Sequence, residues 1–265
     1  MAGDKTVSID GELLAPAEAT ISALDEGLLR GDGVFEAIKL YRGRPFRLDA
    51  HLERLAGSAA AITLSFDQQA LRAEIARLLG GADAPDSMLR VVLTRGGRRL
   101  LVIEQLPDWA ATARITLVEE APSTILTGAK TISYAANMQA TRIARARGAD
   151  EAVIVHPSGV VLEAPTSSVF WVGPAGRLCT PALETGILDS ITRRVVLEAV
   201  DCAQGAFPAA ELRSATEAFL ASTTREIQAI AAIDGRELEE PEGGAAAAEA
   251  TAALSEAVLR ELADA

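Results

Sequence analysis

Strand-like alternation and helical periodicity take turns along the chain. Near the start, "KTVSIDGELL" reads as a short hairpin turning at Asp10-Gly11. "VFEAIKLY" alternates apolar and polar from Val34, meets a turn at "RGRP" (42–45) and resumes at Phe46. Gly31-Asp32-Gly33, just before it, reads as the turn that leads the chain into this strand. A helix over "AHLERLAGSAAAI" follows, with Asp49 as its expected N-cap and Leu52, Leu55 and Ala59 on one face. A second amphipathic helix is predicted at 67–79, then strands at 87–96, 100–106 and 113–120.

The segment "EAPSTILTG" (120–128) breaks the pattern with Pro, Ser, Thr and Gly. It predicts a small N-terminal α/β domain over 1–120, a linker at 121–128 and a larger C-terminal domain over 129–265. In the second domain a short strand, "KTISYA", precedes the helix "ANMQATRIARARGA", which should end at Gly148. A hairpin at 151–164 turns at Pro157-Ser158-Gly159, and a strand pair brackets "GPAG" (173–176). A helix should start near Asp189-Ser190, a strand should lie at 218–223, and a last hairpin should turn at Asp234-Gly235. The Ala-rich tract after "PEGG" has high helix propensity and reads as a terminal surface helix. No repeat of fixed period is present, and the pattern implies an α+β protein of two lobes.

Composition narrows the function more than the fold. With 265 residues and 49% apolar content, there is ample material for a sizeable core. A net charge of −12 argues against a nucleic-acid surface and an anionic membrane, because both need a basic excess. The two cysteines, Cys179 and Cys202, make no disulfide framework, and with His51 and His156 they leave a metal site almost without ligands. The N-terminus lacks a basic-then-apolar signal pattern, so a soluble, cytoplasmic protein is expected.

Lysine is scarce: Lys5, Lys39 and Lys130 are the whole set. Lys5 belongs to the terminal hairpin and Lys39 to an ordinary alternating strand. Lys130 opens the second lobe, where desolvation would free its amine as a nucleophile; the alternative is a snorkelling surface lysine. Glu163, at a strand end before "PTSS", is by itself an ordinary solvated charge, but beside Lys130 it suggests a cofactor acid–base pair. "LDSITRR" (188–194) offers a helix start whose free amides favour an anion or simply need a cap. "ASTTRE" (221–226) adds a second cluster of hydroxyls and loop amides.

In combination these stretches resemble the class IV, fold-type IV pyridoxal-phosphate enzymes. That group holds branched-chain and D-amino-acid aminotransferases and aminodeoxychorismate lyases. The resemblance runs from "DEGLLRGDGVFEAIKLYRGRPF" and "HLERL" through "KTISYAANM" and "VVLEAPTSSVF" to "ETGILDSITRR" and "FLASTTREI", in the family's order. It implies a two-lobed fold with a mixed sheet and helices in each lobe. Lys130 matches the lysine that forms the internal aldimine with pyridoxal 5'-phosphate and moves the proton. Glu163 matches the carboxylate facing the pyridine nitrogen, and Arg54 the guanidinium on the cofactor phosphate. Ile191 and Thr192, and Thr223 and Thr224, match the two further phosphate-binding segments. Tyr134 matches a tyrosine that some members set against the cofactor's phenolic oxygen; a buried structural tyrosine is the alternative. Ser133 and Ser168 stand where members often carry Asn, keeping a hydrogen-bonding group with shorter reach.

Four residues bear on substrate. Arg90 shares one face of its predicted strand with Met88, Val92 and Thr94, an unusual place for a cation. It and Arg30 either bind substrate carboxylates or make internal ion pairs. Arg98, in "RGGRR", reaches the same mouth or is solvated, and Phe35 supplies an apolar wall or core. The expected activity is an aminotransferase passing an amino group between an amino acid, D-amino acids foremost and branched-chain ones next, and a 2-oxo acid. The alternatives are an aminodeoxychorismate lyase, disfavoured by Ala37 where lyases commonly show Thr, and a non-catalytic binding protein, disfavoured by intact Lys130 and Glu163. The resemblance also implies a homodimer, with residues such as Arg30 lent across it.

Overall fold

A computed structural model describes residues 6–82, 84–173 and 175–263. Lys5 and Pro174 of the "GPAG" turn lie outside the described residues. The contacts divide the chain into two units: residues up to Pro107 together with Ala129–Tyr134, and Asp108–Gly128 together with the chain from Ala135 onward. This partition differs from one split at 121–128. The strand at Thr112–Glu119 pairs within the second unit's sheet, and the six residues around Lys130 pair with the first.

The first unit is an antiparallel sheet covered by helices on one face. Its strands are β1 (Val7–Ile9), β2 (Glu12–Leu14), β3 (Gly33–Tyr41), β4 (Arg44–Pro45), β5 (Ser87–Thr94) and β6 (Arg99–Glu104), in the order β2-β1-β6-β5-β3-β4. The helices are α1 (Glu26–Arg30), α2 (Leu48–Ala61) and α3 (Gln68–Gly81). Period-two alternation in β3 sends Val34, Ile38 and Leu40 into a core with Leu52, Leu55 and Ala59 of α2 and Leu71, Ile75 and Leu78 of α3. Asp67 caps α3 through the amides of Gln69 and Ala70, both at 2.9 Å. Asp49 is not the cap of α2: Arg47 enters the helix in the left-handed region (φ 53°), and Asp49 lies in the first turn, paired with Arg72.

Two features of this unit escape the periodicity. The turn expected around Gly31 is preceded by α1, which buries none of its residues; Asp25 caps it and Gly31 closes it at φ 67°. The strand expected at "KTISYA" reduces to one bridge, Thr131 with Val34, flanked by Phe35 N–H to Lys130 C=O and Ile132 N–H to Gly33 C=O, both 3.0 Å.

The second unit is built on a mixed sheet. Its strands are β7 (Thr112–Glu119), β8 (Glu151–Val155), β9 (Ser168–Val172), β10 (Leu178–Pro181), β11 (Ala203–Gly205), β12 (Glu217–Ser222), β13 (Glu226–Ile233) and β14 (Arg236–Glu237). The order is β11-β10-β9-β12-β13-β7-β8, with β14 beside β13. The pairs β10/β11, β13/β7 and β7/β8 are parallel and the others antiparallel. Helices α4 (Ala135–Ala146), α5 (Ile191–Ala199), α6 (Ala209–Arg213) and α7 (Ala245–Ala263) complete it. One core gathers Val153, Trp171, Leu212, Leu220 and Ile230; another sets Val196 of α5, Val200 just after it, and Ala247 and Ala250 of α7 against Phe170 and Phe219. The terminal helix therefore buries one face, and Glu217 of β12 accepts from the amides of Gly244, Ala246 and Ala247 at its start. Among the described residues no helix is long and apolar enough to cross a membrane.

Candidate active site

In the first unit the residues singled out by the sequence gather around the start of β3. The Lys130 amide donates to Ser58 Oγ of α2 at 3.0 Å, while its carbonyl accepts from Phe35. These two bonds fix the backbone of the lysine between a helix and a strand. Its Nζ sits 4.3 Å from the centroid of the Phe35 ring, and Tyr134 packs edge-on against the same ring at 5.4 Å. Ser133 Oγ donates to the Gly31 carbonyl at 2.8 Å, which ties the segment to the end of α1. Lys130, Phe35 and Tyr134 are thus brought together, and Arg54 belongs to the same neighbourhood through α2.

Arg54 is held by a group that the sequence does not announce. Its Nε and Nη2 donate to the two oxygens of Glu36, each at 2.7 Å, and His51 Nδ1–H donates to the same carboxylate at 2.8 Å. Glu36 is fully buried and the side chains of His51 and Arg54 nearly so. Positions 51, 54 and 58 form one stripe of α2, which sets His51 and Arg54 on Glu36 and Ser58 on Lys130. Burial by itself would raise the Glu36 carboxyl, but the Arg54 charge and the bonds from Arg54 and His51 outweigh it and hold the pKa at about 2. Burial pushes His51 below its ordinary value, opposed by Glu36 and reinforced by the charges of Arg54 and Lys130. The signal for Glu36 was an acid in the row Val34, Ile38, Leu40.

The arginines expected to meet substrate all hold carboxylates of the chain. Arg30 projects into solvent from α1 and pairs with Glu26 at 3.2 Å. Arg90 makes a two-point pair with Glu104, and Arg98 Nη1 donates to Asp10 at 2.7 Å. Asp32, between the two glycines, is held by Arg95, which also donates to the carbonyls of Ile62 and Thr63 at the end of α2. That loop is therefore a structural clasp.

In the second unit Glu163 accepts from the Leu188 amide at 3.0 Å, two residues before Ser190, the N-cap of α5. Ser190 takes the Arg193 amide; the amides of Ile191 and Thr192 precede the first intrahelical bond and point toward the positive end of the helix dipole. Glu163, Ile191 and Thr192 are thus joined in one continuous segment. Thr223 and Thr224 occupy a three-residue loop between the paired Ser222 and Glu226. The next residue, Arg225, is buried: it donates to Glu151 and Gln228, both 2.6 Å, and lies 3.7 Å from the centre of the Trp109 ring. Thr141 donates to the same Glu151 at 2.7 Å, so the loop is anchored on β8 and α4. Ser167 and Ser168, just beyond Glu163, keep buried hydroxyls with no hydrogen-bond partner among the described residues.

Each unit by itself offers donors of the kinds pyridoxal phosphate requires: the first an amine and an arginine, the second a carboxylate, a helix start and a hydroxyl loop.

The known proteins that this chain resembles agree with that chemistry. The family model described as class IV aminotransferase matches residues 33–233. The bifunctional aminodeoxychorismate lyase / D-amino acid transaminase of Mycobacterium tuberculosis is 30% identical over 267 residues, covering 88% of this chain and 92% of its own. The D-alanine aminotransferase of Listeria innocua is 28% identical over 264 residues, covering 90% and 91%. Among solved structures, the branched-chain aminotransferase of Thermoproteus uzoniensis with norvaline superposes with a TM-score of 0.88 at 29% identity, covering 98% of this chain and 96% of that one. The chain belongs to the class IV aminotransferases, pyridoxal-phosphate-dependent enzymes of fold type IV.

Proposed function

We propose that the protein transfers an amino group between an amino acid, with D-amino acids favoured and branched-chain ones next, and a 2-oxo acid. The observation that carries this reading is the setting of Lys130: its backbone is fixed to β3 and α2, and its amine lies against an aromatic ring. That setting holds the amine in one place beside Phe35 and Tyr134, where it can meet a carbonyl carbon. Bound pyridoxal phosphate supplies an electron sink and a carrier for the amino group.

The residues supply the rest. Lys130 Nζ holds the cofactor and moves the proton to and from the substrate's Cα. Glu163, steadied by the Leu188 amide, keeps a proton on the ring nitrogen. Arg54, together with the amides of Ile191 and Thr192 and the hydroxyls of Thr192, Thr223 and Thr224, holds the phosphate. Tyr134 orients the cofactor's phenolic oxygen. The likeness to D-alanine aminotransferase and to the bifunctional transaminase supports D-amino acids. The reading includes a cytoplasmic homodimer.

The test is a panel of half-reactions. Purified protein should absorb in the visible with the cofactor linked to Lys130, and Lys130→Ala should be colourless. D-Alanine alone should convert the cofactor to its aminated form. One observation favours a second activity, the lyase half of the bifunctional relative's name. Pyruvate released from aminodeoxychorismate, without conversion by any D- or L-amino acid, would replace the transaminase reading with that one.

A further inference from the structure

On the open face of the first unit's sheet, Phe35 stands opposite Val92 and Ala37 opposite Arg90, so Arg90 is the diagonal neighbour of the Phe35 ring. The guanidinium carbon is 6.0 Å from the ring centroid, and Lys130 Nζ is 4.3 Å from the same centroid. One aromatic ring therefore lies within reach of both the cation on β5 and the lysine amine. A substrate side chain of a few bonds, starting from an atom near Lys130, can reach Arg90 along it.

That cation is already engaged. Arg90 Nε donates to Glu104 Oε1 at 2.5 Å and Nη2 to Oε2 at 2.9 Å, the parallel two-point geometry a bound carboxylate would use. Only Nη1 is left over. The rest of this face of β6 is apolar: Leu100 and Val102 stand opposite Val92 and Arg90, and Glu104 opposite Met88. Lys39, the cation on this face of β3, lies over the Tyr41 ring at 4.6 Å. Both members of the Arg90–Glu104 pair are about one-third exposed, 34% and 33%, so a carboxylate from solution can compete for the guanidinium.

We infer that Glu104 is the specificity-determining residue of this site. By occupying Arg90 it neutralises the wall beside Phe35, so amino and 2-oxo acids with short uncharged side chains are preferred over those with a second carboxylate. A dicarboxylate must displace Glu104 or bind at Nη1 alone, and it meets the Glu104 charge in either case. The inference rests on the reading of Lys130 as the cofactor lysine and deepens it.

The test is equilibrium binding of 2-oxobutyrate and 2-oxoglutarate to the holoenzyme by calorimetry, alongside the D-alanine half-reaction. Wild type should bind 2-oxobutyrate at least as tightly as 2-oxoglutarate. In Glu104→Gln the affinity ratio should move toward 2-oxoglutarate by about tenfold or more, since a charged two-point partner becomes available. In Arg90→Leu/Glu104→Leu that gain should vanish. A purely structural pair predicts a lower melting temperature in Glu104→Gln with the ratio unmoved, and that result overturns the inference while the D-alanine half-reaction stands. Absence of that half-reaction with the binding ratio shifted as stated removes the transaminase reading and leaves the Glu104 assignment in place.

Discussion

A buried carboxylate shared by two cations has consequences at the scale of single residues. Glu36 has no solvent contact and carries Arg54 and His51 together. Glu36→Gln strands a guanidinium that is nearly buried, and the expected cost is about 3 kcal/mol or more in chemical denaturation. The double variant Glu36→Gln/Arg54→Met removes both charges while leaving His51 an acceptor, and it should recover most of that stability. A double variant as unstable as the single one would mean that shape, not charge, holds the cluster. Cofactor binding should separate from stability here, because Arg54→Met takes away a phosphate ligand in the proposed site. The sequence exposes such residues unevenly. Arg90 stands out because a cation interrupts Met88, Val92 and Thr94. Glu36 breaks the row Val34, Ile38, Leu40 in the same way, but the sequence does not say which face of β3 the helices cover, so an acid there reads as the polar half of an alternation. The carboxylates that occupy Arg90, Arg98 and Arg95 come from 14 to 88 positions away, a separation over which composition and spacing carry no information.

Elements differ in legibility for a related reason. Helices α2, α3 and α5 each bury a periodic stripe, and Asp67 and Ser190 cap two of them, so pattern and chemistry both announce them. Helix α1 buries nothing and leaves no stripe to read. The segment around Lys130 owes its shape to backbone bonds with Gly33 and Phe35, almost a hundred residues earlier, and β7 is recognisable as a strand while its parallel pairing with β8 and β13 is not. Gly33 is where these long-range pairings converge. A Cβ there would lie 2.3 Å from the Leu93 carbonyl oxygen and 2.9 Å from Ile132 Cδ1, so β5 and the Lys130 segment cannot both keep their places. Gly33→Ala should therefore destabilise by about 2 kcal/mol or more and weaken cofactor uptake at the same time. Gly57, mid-helix in α2 with no atom within 4 Å of an added Cβ, gives the opposite expectation. Gly57→Ala should stabilise by about 0.5–1 kcal/mol through helix propensity, with cofactor uptake unchanged. Thermal melts of the two variants, with and without pyridoxal phosphate, check both signs.

At the scale of the whole molecule, acid should separate the two units, and the chain carries its own reporters for it. Tyr41 and Tyr134 both belong to the first unit, Trp109 and Trp171 both to the second. In the first unit, burial lowers the His51 pKa from its ordinary 6.5, so the unfolded chain takes up that proton first; the stability it contributes is intact above 6.5 and is lost as pH falls below it. Glu36, held at about 2 against an ordinary 4.5, contributes fully above 4.5 and loses that contribution as pH falls from 4.5 toward 2. Asp234 of the second unit is raised by burial but lowered further by the Leu117 amide, Arg213 and Thr116, so its contribution is lost only as pH drops below 3.8. The first unit thus begins to weaken as pH falls below 6.5, the second only as it falls below 3.8. Tyrosine near-ultraviolet circular dichroism should change during acidification while tryptophan fluorescence still reports a native second unit. In Glu36→Gln/Arg54→Met the Glu36 step is gone, so the tyrosine transition should lose its share between 4.5 and 2 and keep the histidine step and the one that Asp10 gives below 3.8. Coincident tyrosine and tryptophan transitions in the wild type would show instead that the two cores melt as one cooperative body, with the Glu36 cluster setting the acid stability of the entire chain.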